Sequence, residues 1–440
     1  MTPTLKLYGL LAMGGAIATT LDALSPSESV ISFPLEAMLF FNGVVLLLMV
    51  VDWAQVSGQQ RAIAKREQLP RLSIGRDNPV TLKVTAPKAR AQLQIFDRYP
   101  PEFDEIPMPL TVALPAKTAT NVTYQVFPTE RGEYQWGDIQ VRQLGPWGLV
   151  WRSWTISAPQ KVAVYPDLVG LRSLSIRLAI QSTGNVRQRK RLGIGTEFAE
   201  LREYAIGDDP RFIDWKATAR RSVPLIRVLE PEREQSLIIL LDRGRLMTAN
   251  VKGLSRFDWG LNATLSLALA GLHRGDRVGV GVFDRAMHTW IPAMGGRQHL
   301  QHLIEQLTPL QPELLESDYL GAVTRVATQQ HRRALVVVIT DIVDQTASAE
   351  LLTALTRLKS RHLPFCVTLR DPLVDVQAHE FVADVTAAYG RAVALDLLEQ
   401  RQVAFAQLKQ AGVLVLDAPA NQITDSLVED YLRVKARNRL

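Results

Sequence analysis

The sequence predicts a multi-domain protein: a transmembrane helical hairpin, a β-sandwich of immunoglobulin-like type, and an α/β domain with a mostly parallel sheet. Three observations predict this fold class. Two uncharged apolar runs lie in the first 55 residues. Apolar and polar residues then alternate with a period of two, which is typical of half-buried strands. Beyond residue 235, short apolar strands alternate with helical stretches, which favours a parallel sheet covered on both faces.

The same changes in the pattern of apolar and polar residues divide the chain into four segments. We predict a transmembrane hairpin over 1–55, a β-sandwich over 56–170, a charged block over 171–235 and an α/β domain over 236–440. The composition, 47% apolar and 21% charged, is that of a globular protein rather than a disordered one. The net charge of +6 fits nucleic acid, an anionic membrane surface or the flanks of membrane spans. Of these we expect a lipid membrane and no nucleic acid.

The apolar runs at 7–21 and 37–51 each reach the roughly 20 residues of a spanning helix when their flanks are included. The turn between them lacks Lys and Arg, whereas Arg61, Lys65 and Arg66 follow the second run. By the positive-inside rule, we predict two spans in the plasma (inner) membrane with the soluble part cytoplasmic. A cleaved signal peptide for the first run, or a buried core hairpin for both, are the alternatives.

The predicted sandwich rests on four alternating stretches, punctuated by Pro and Gly. They are Val80 to Val84, Ala91 to Ile95, Leu110 to Leu114 and Val122 to Val126. No catalytic constellation occurs here, so a spacer or interaction module is favoured. The aromatic residues Trp136, Trp147, Trp151 and Trp154 could form a recognition face, but we expect them to be core residues.

Residues 193–221 mix acidic, basic and aromatic side chains at high density. Such a mixture suits a partly buried ion-pair network or an interaction surface. The candidate interaction residues are Glu197, Arg202, Glu203, Tyr204, Asp208, Asp209, Arg211, Asp214, Trp215, Lys216 and Arg220. Acid–base catalysis by paired carboxylates and a solvated charge cluster are the alternatives. The basic run 187–191 could touch phosphate or anionic lipid, or be a solvated linker.

In the α/β segment, the apolar strands Leu237 to Leu241 and Ala334 to Ile339 are closed by Asp242 and by Thr340-Asp341. Sites in parallel sheets form beyond the carboxyl ends of the strands, where both aspartates lie. The single cysteine, Cys366, excludes an internal disulfide and a Cys-based zinc site, and it lies in a predicted buried strand as an inert thiol.

The chain resembles the domain-of-unknown-function family fifty-eight. The resemblance is carried by Gly195-Thr-Glu-Phe198, Leu201-Arg-Glu-Tyr204, Gly207-Asp-Asp-Pro-Arg211 and Ile213-Asp-Trp-Lys-Ala-Thr-Ala-Arg220, with shorter matches at Glu130–Tyr134, Gly145–Leu149 and Gly275–Gly279. It implies a von Willebrand factor A-like domain after the charged block. It also implies a MoxR-type AAA+ ATPase as partner, with an adaptor role in assembly or chaperone-like tasks.

The sequence departs from the von Willebrand A pattern at the metal site. That pattern, D-x-S-x-S, supplies hydroxyl and carboxylate oxygens to a hard cation. Here Asp242-Arg243-Gly244-Arg245-Leu246 lacks both hydroxyls, which leaves Asp242, Asp341 and either Ser317 or Asp318. We therefore expect a degenerate site without Mg²⁺ and no other cofactor. The arginines at 243 and 245 could instead pair with the two aspartates.

Other candidate ligands are the histidines His273, His299, His302 and His331, for which structural or solvated roles are favoured. No phosphate loop, nucleophile elbow or zinc-protease motif occurs in the sequence. We therefore predict an adaptor that binds other proteins and is not an enzyme. A cell-envelope hydrolase using carboxylates of 193–221 and an oligomeric membrane scaffold are the two alternatives.

Overall fold

The computed structural model describes residues 2–24, 32–69, 71–103, 108–185, 197–230, 235–342, 349–380 and 385–437. The chain divides into two compact units, Met1–Tyr165 and Pro166–Leu440. The four segments that the sequence predicts are finer than this division and stay predictions.

The first unit combines two helices with short strands. The helices are α1 (Leu5–Leu24) and α2 (Ser32–Gly58). The strands are β1 (Thr2–Pro3), β2 (Ile63–Arg66), β3 (Leu72–Ser73), β4 (Asn78–Thr85), β5 (Ala91–Asp97), β6 (Leu110–Leu114), β7 (Ala119–Val126), β8 (Gly132–Trp136), β9 (Ile139–Leu144), β10 (Val150–Ile156) and β11 (Gln160–Tyr165). The four alternating stretches predicted as strands are confirmed as β4 to β7.

These strands form three sheets, in the orders β1-β10-β9-β5-β6, β3-β11-β8 and β2-β4-β7. Neighbouring strands are antiparallel except β3 and β11. In β4, Val80, Leu82 and Val84 are fully buried while the residues between them reach solvent, as a period of two requires.

A buried ion pair lies within the β-structure of this unit. Arg66 pairs with Asp97, and the Arg66 Nε donates to Asp97 Oδ2 at 3.0 Å. Tyr124 donates to the same oxygen at 2.7 Å, and Trp136 Nε1 donates to the Tyr124 hydroxyl at 3.3 Å. Burial and the neighbouring Asp97 raise the pKa of Tyr124. Trp136 is thus a core residue as predicted, whereas Trp147 is 47% exposed and the core prediction is wrong for it.

One helix within the described part of the chain is long and apolar enough to cross a membrane, Glu36–Gly58 within α2. In α1 the apolar stretch is shorter, Leu5–Ile17. The two helices approach closely at Gly14, where a Cβ atom would lie 2.5 Å from Asn42 Oδ1. The predicted turn between the spans falls largely on residues 25–31, outside the described residues. The second span stays a prediction.

The second unit is an α/β structure that begins with helix α3. Its helices are α3 (Leu168–Asn185), α4 (Trp215–Arg221), α5 (Arg256–His273), α6 (Arg297–Leu307), α7 (Tyr319–Gln329), α8 (Ala349–Leu358), α9 (Pro372–His379), α10 (Val385–Gln410) and α11 (Ile423–Ala436). Its strands are β12 (Glu197–Glu203), β13 (Leu225–Glu230), β14 (Ser236–Asp242), β15 (Asn250–Val251), β16 (Leu254–Ser255), β17 (Arg277–Phe283), β18 (Met287–Met294), β19 (Ala334–Thr340), β20 (Leu363–Arg370) and β21 (Leu414–Pro419).

A six-stranded sheet forms the centre of this unit, in the order β18-β17-β14-β19-β20-β21. Five strands are parallel, as predicted, and only the edge strand β18 is antiparallel. Helices cover both faces, because Leu237, Ile239 and Leu241 belong to a different buried cluster from Ile238 and Leu240. The strand order reverses at β14, so its carboxyl end and that of β19 flank the crevice where sites form in such sheets.

Candidate functional site

The charged block folds into a separate antiparallel hairpin, residues 197–230, which we call the charged hairpin. Strands β12 and β13 pair from Glu203 opposite Leu225 to Glu197 opposite Glu230, with an irregularity between Phe198 and Glu200. The connection between the strands carries a 3₁₀ turn, Pro210–Phe212, and helix α4. The side chain of Glu197 lies outside the described residues, as does the whole basic run 187–191.

Arg202 and Asp208 form a bidentate ion pair at the tip of the charged hairpin. The Arg202 Nη1 donates to Asp208 Oδ2 at 2.8 Å and Nη2 donates to Oδ1 at 2.5 Å. The Ala205 amide donates to the same carboxylate at 2.8 Å, and the Tyr204 hydroxyl donates to the Asp208 carbonyl at 3.3 Å. The hydrogen bonds from Arg202 hold the pKa of Asp208 below its usual range. This pair therefore fixes the turn at 204–208.

Two more aspartates of the hairpin cap helical turns and bind arginine at the same time. Asp209 accepts from the Arg211 amide at 3.0 Å and from Arg211 Nη2 at 2.8 Å. Asp214 caps α4 by accepting from the Lys216 and Ala217 amides, and it accepts from Arg227 Nε of β13 at 2.8 Å. The Ala217 amide and then Arg227 lower the pKa of Asp214. Asp214 therefore ties helix α4 to strand β13.

The structure thus brings together Arg202 with Asp208 and Arg211 with Asp209, while Glu203, Lys216 and Arg220 lie exposed. Large apolar side chains are exposed beside these ion pairs. Ile206 is fully exposed and Trp215 is 70% exposed; Leu201, Phe212 and Val223 are exposed to a lesser degree. Sequence reasoning did not single out Ile206, Val223 or Arg227. An isolated apolar residue next to Gly207-Asp208 in a turn was the signal that could have marked Ile206.

The second candidate site is the sheet edge at Asp242. This carboxylate is fully buried and accepts four hydrogen bonds, from Ser317 Oγ at 2.5 Å, Thr340 Oγ1 at 2.6 Å, the Gly244 amide at 2.8 Å and the Tyr319 hydroxyl at 3.1 Å. Burial raises the pKa of Asp242 and outweighs these hydrogen bonds, which lower it. Burial also raises the pKa of Tyr319.

Gly244 leaves the space in which Ser317 reaches Asp242. A Cβ atom on Gly244 would lie 2.1 Å from Ser317 Oγ and 2.7 Å from the Leu315 carbonyl oxygen. Glycine at 244 therefore leaves room for a serine from a different loop to reach Asp242. The neighbouring Asp318 plays another role, since its Oδ1 accepts from the Gly321 amide at 2.7 Å at the start of α7.

Asp341 binds two arginines that the sequence analysis did not single out. Arg401 Nη1 of α10 donates to Asp341 Oδ1 at 2.7 Å, and Arg256 Nη1 lies 2.9 Å from Oδ2. The Ile342 amide also donates to Oδ1, at 2.8 Å. Arg401 is buried, and its Nη2 donates to Asp417 Oδ1 of β21 at 2.9 Å. A guanidinium thus joins the carboxylate of Asp341, directly after β19, to that of Asp417 within β21.

The predicted pairing of Arg243 and Arg245 with the two aspartates is wrong. Arg243 Nε donates to Asp284 at 2.6 Å and its Nη2 to Glu313, while Arg245 Nε donates to Glu316 at 2.8 Å. Successive residues of an extended chain point to opposite sides, so Arg243 faces away from the side that Asp242 occupies. Burial raises the pKa of Asp284, but the hydrogen bonds from Arg243 and the Ala286 amide, together with the positive charge of Arg243, outweigh burial and lower that pKa.

This donor set fits a guanidinium better than a divalent cation. Mg²⁺ requires near-octahedral oxygen ligands, whereas both oxygens of Asp341 are already paired with arginines and those of Asp242 accept four hydrogen bonds. Among the residues that the structure describes, no group of three or more His, Cys, Asp or Glu could hold a metal ion. His299 is buried with Nε2 2.7 Å from the Val278 carbonyl oxygen, a structural contact. Burial raises the pKa of the Cys366 thiol to about 12.

Part of the chain is similar to a known protein family. Residues 200–377 match the family described as Protein of unknown function DUF58, so the predicted resemblance is confirmed over that range. The match includes most of the charged hairpin and the aspartates at 242 and 341, but Arg401 and Asp417 lie beyond it.

Among curated relatives, an uncharacterised protein of Mycobacterium tuberculosis is 26% identical over 182 residues, 41% of this chain and 56% of that protein. The uncharacterised protein YeaD of Bacillus subtilis is 24% identical over 196 residues, 43% of this chain and 46% of that protein. The chain thus spans about half the length of the curated relatives that it matches.

Solved structures give weaker likenesses. An aerotolerance-related membrane protein of Bacteroides fragilis has a TM-score of 0.31 and 16% identity, over 45% of this chain and 99% of that chain. The conserved hypothetical protein BatB of Bacteroides thetaiotaomicron also has a TM-score of 0.31, with 12% identity over 46% of this chain and 99% of that chain.

Proposed function

We propose that this protein is a membrane-anchored adaptor that binds other proteins through the charged hairpin and has no catalytic activity of its own. The observation that carries the proposal is the exposure of Ile206 and Trp215 on a turn and helix fixed by ion pairs. A MoxR-type AAA+ ATPase is the proposed partner, and the family resemblance is the ground for choosing that class.

The chemistry of the charged hairpin suits a protein partner. Tryptophan and arginine are enriched among residues that dominate binding energy, and Trp215 is flanked by Arg211, Arg220 and Arg221 in the same short stretch. Because Asp208, Asp209 and Asp214 already position the turn and α4, the surface loses little conformational freedom when a partner binds. The charged hairpin thus presents exposed apolar and charged side chains on a pre-ordered backbone, the two kinds of residue that form the core and the rim of protein interfaces.

The same ion pairs weigh against hydrolysis by these carboxylates. A general acid needs a pKa raised toward neutrality, as burial or a neighbouring carboxylate provides. Here arginine and amide hydrogen bonds lower the pKa values of Asp208, Asp209 and Asp214. These groups are suited to remaining ionised and holding structure, so the interaction role is favoured over the hydrolase alternative.

We further infer that both α1 and α2 span the plasma membrane, with the rest of the chain cytoplasmic. Glu36–Gly58 supports one span by length and composition, and Arg61 and Lys65 just beyond it support the orientation. The antiparallel sheets of the first unit support an immunoglobulin-like sandwich. The order of the six-stranded sheet supports a von Willebrand A-like domain in the second.

The test is co-purification of the full chain with a MoxR-type ATPase from the same genome. Replacing Trp215 by Ala, alone and with Ile206→Ala, should weaken binding about tenfold or more, the loss expected when a dominant contact residue is truncated. The matched control is Tyr389→Ala on α10, because Tyr389 is a similarly exposed aromatic residue at 73%. Equal binding of the Trp215 and Tyr389 variants would contradict a contact surface on the charged hairpin.

A further inference from the structure

The loop that joins β9 to β10, residues 145–149, is bound to helix α2 by one buried carboxylate, six residues before the helix ends at Gly58. Asp52 is fully buried and accepts hydrogen bonds from the amides of Trp147 at 2.9 Å, Leu149 at 3.0 Å and Val150 at 3.2 Å. A Cβ atom on Gly145 would lie only 2.3 Å from Asp52 Oδ2, so glycine is required for this approach. The loop is therefore held at the level of residue 52 of the helix.

The beginning of α1 meets the same loop. The Thr4 hydroxyl donates to the Gly148 carbonyl at 2.8 Å, and the Thr4 amide donates to the Leu149 carbonyl at 3.0 Å. Strand β1 pairs with β10, with Pro3 opposite Val150. The start of α1, the end of the apolar part of α2 and the β9–β10 loop thus lie together.

Apolar side chains of the loop pack with the helices. Leu149 and Val150 belong to one buried cluster with Leu7 of α1 and with Val45 and Val56 of α2. Val45 lies within the apolar run 37–51 that we assign to the bilayer. Asp52 directly follows that run, so the loop lies where the apolar part of the helix ends.

In a bilayer, the end of an apolar helical run lies at the headgroup layer, which is enriched in Trp, Tyr and Lys. Trp147 is 47% exposed at the loop tip and Trp53 is 42% exposed next to Asp52. Lys6 is also close, because its Nζ would lie 3.7 Å from a Cβ atom on Gly148. These amphipathic residues therefore lie close to the position where the apolar run of α2 ends.

We propose that the β9–β10 loop lies in the phospholipid headgroup layer and that Trp147 is a second, interfacial membrane contact of the β-structure. This inference rests on the proposed membrane anchoring. The hydrogen bonds to Asp52 make the contact a rigid extension of α2, so the β-structure is held against the lipid surface rather than connected to the helix by a free linker.

Depth measurement by spin-label power saturation tests the proposal with the full chain in nanodiscs of phosphatidylcholine and phosphatidylglycerol. The buried Cys366 is replaced by Ala, and single cysteines are introduced as Trp147→Cys, Phe40→Cys and Leu314→Cys. Phe40 is 77% exposed on α2, and Leu314 is 76% exposed in the second unit. These two positions serve as the lipid and the water reference.

The measured quantity is the accessibility of each label to oxygen divided by its accessibility to a water-soluble nickel complex. We expect this ratio at 147 to lie between the ratios at 40 and 314, and to be several-fold higher than that at 314. If the label at 147 has the same relative oxygen accessibility as the label at 314, while the label at 40 is in lipid, the proposed headgroup position of the loop is wrong but the membrane anchoring still holds. Water accessibility at both 40 and 147 would overturn both proposals. Pro146→Cys repeats the measurement with Trp147 intact, since Pro146 is also exposed.

Discussion

Arg401 is a single residue that links two strands of the six-stranded sheet near their carboxyl ends. Its guanidinium is buried and binds Asp341, Asp417 and the Ile342 carbonyl oxygen. Burying a charge is costly unless it is paired and hydrogen-bonded, and removal of one partner leaves the others uncompensated. The segment after β19 and the strand β21 are therefore linked by a side chain from helix α10.

Replacing Arg401 by Ala should lower the free energy of unfolding of the second unit by about 3 kcal/mol, because the buried Asp341 keeps only Arg256 and the partly buried Asp417 keeps only the longer pair with Arg370. Arg401→Lys should be intermediate, since an ammonium cannot span both carboxylates as the planar guanidinium does. Urea denaturation followed by circular dichroism measures both. The control is Arg433→Ala, an exposed i,i+3 pair with Asp430 that should cost less than about 1 kcal/mol. Equal losses for Arg401 and Arg433 would contradict the role of Arg401.

Asp242 should give stability a pH dependence of unusual sign. Its folded-state pKa is raised by burial, so between its unfolded and folded pKa values the folded protein binds more protons than the unfolded one. The contribution is therefore fully present below the unfolded pKa and is lost as pH rises through the folded pKa. Asp242→Asn should remove this decrease in stability. The urea midpoints of the variant and the parent should therefore be similar at acid pH and should differ increasingly as the pH rises through the folded-state pKa of Asp242. Parallel midpoint curves would contradict it.

The two aspartates of this edge could be predicted because strand ends are visible in sequence, and Asp242 and Asp341 follow unbroken apolar strands. Ser317 was named only through the resemblance, with Asp318 as the alternative, and the structure places Ser317 rather than Asp318 on Asp242. The arginine partner of Asp341 could not be predicted, since Arg401 lies 60 residues from Asp341 within a helix whose orientation depends on tertiary packing. Local patterns report burial and period, but they do not identify long-range ion-pair partners.

Among the secondary-structure elements, the charged hairpin depends on ion pairs rather than on a buried core. Its helix α4 has no fully buried residue, and only Leu225 and Ile226 of the described hairpin side chains are buried. The dense mixture of charges obscured the strands β12 and β13 in sequence, although Asp214 before Trp215 is an ordinary helix cap. Strand β18 was missed for another reason: Ile291 is its only fully buried residue, so the strand lacks the alternation of apolar and polar residues that marks a half-buried strand.

Arg202→Ala should loosen the turn at 204–208, because the Asp208 carboxylate loses its bidentate partner. Faster hydrogen exchange of the Ala205 amide, measured by mass spectrometry of the full chain, reports this. The lowered pKa of Asp208 means that the parent turn is stabilised above the unfolded aspartate pKa and loosens as pH falls through the folded one. Arg220→Ala, an exposed arginine of the same hairpin, is the control, and equal exchange in both variants would contradict the prediction.

At the scale of the whole molecule, the proposed orientation places everything after α2 on one side of the membrane. In right-side-out vesicles, protease added outside should leave the soluble part intact, whereas inside-out vesicles should release it as fragments. The charge bias beyond residue 60 is the physical reason. Immunoblotting with a carboxyl-terminal tag reads out both preparations, and digestion from the outside would reverse the topology.

The Arg401 guanidinium is a cation that is covalently attached to the chain, so it cannot dissociate from Asp341 and Asp417 as a bound metal ion can. A dissociable cation occupies its site according to its free concentration, so occupancy varies with supply and with chelators. A cationic group attached to the chain is present once per molecule, at an effective concentration set only by the fold. Arg401 therefore pairs with Asp341 and Asp417 as soon as α10 packs on the sheet. This pairing should not depend on the concentration of metal ions in the cell.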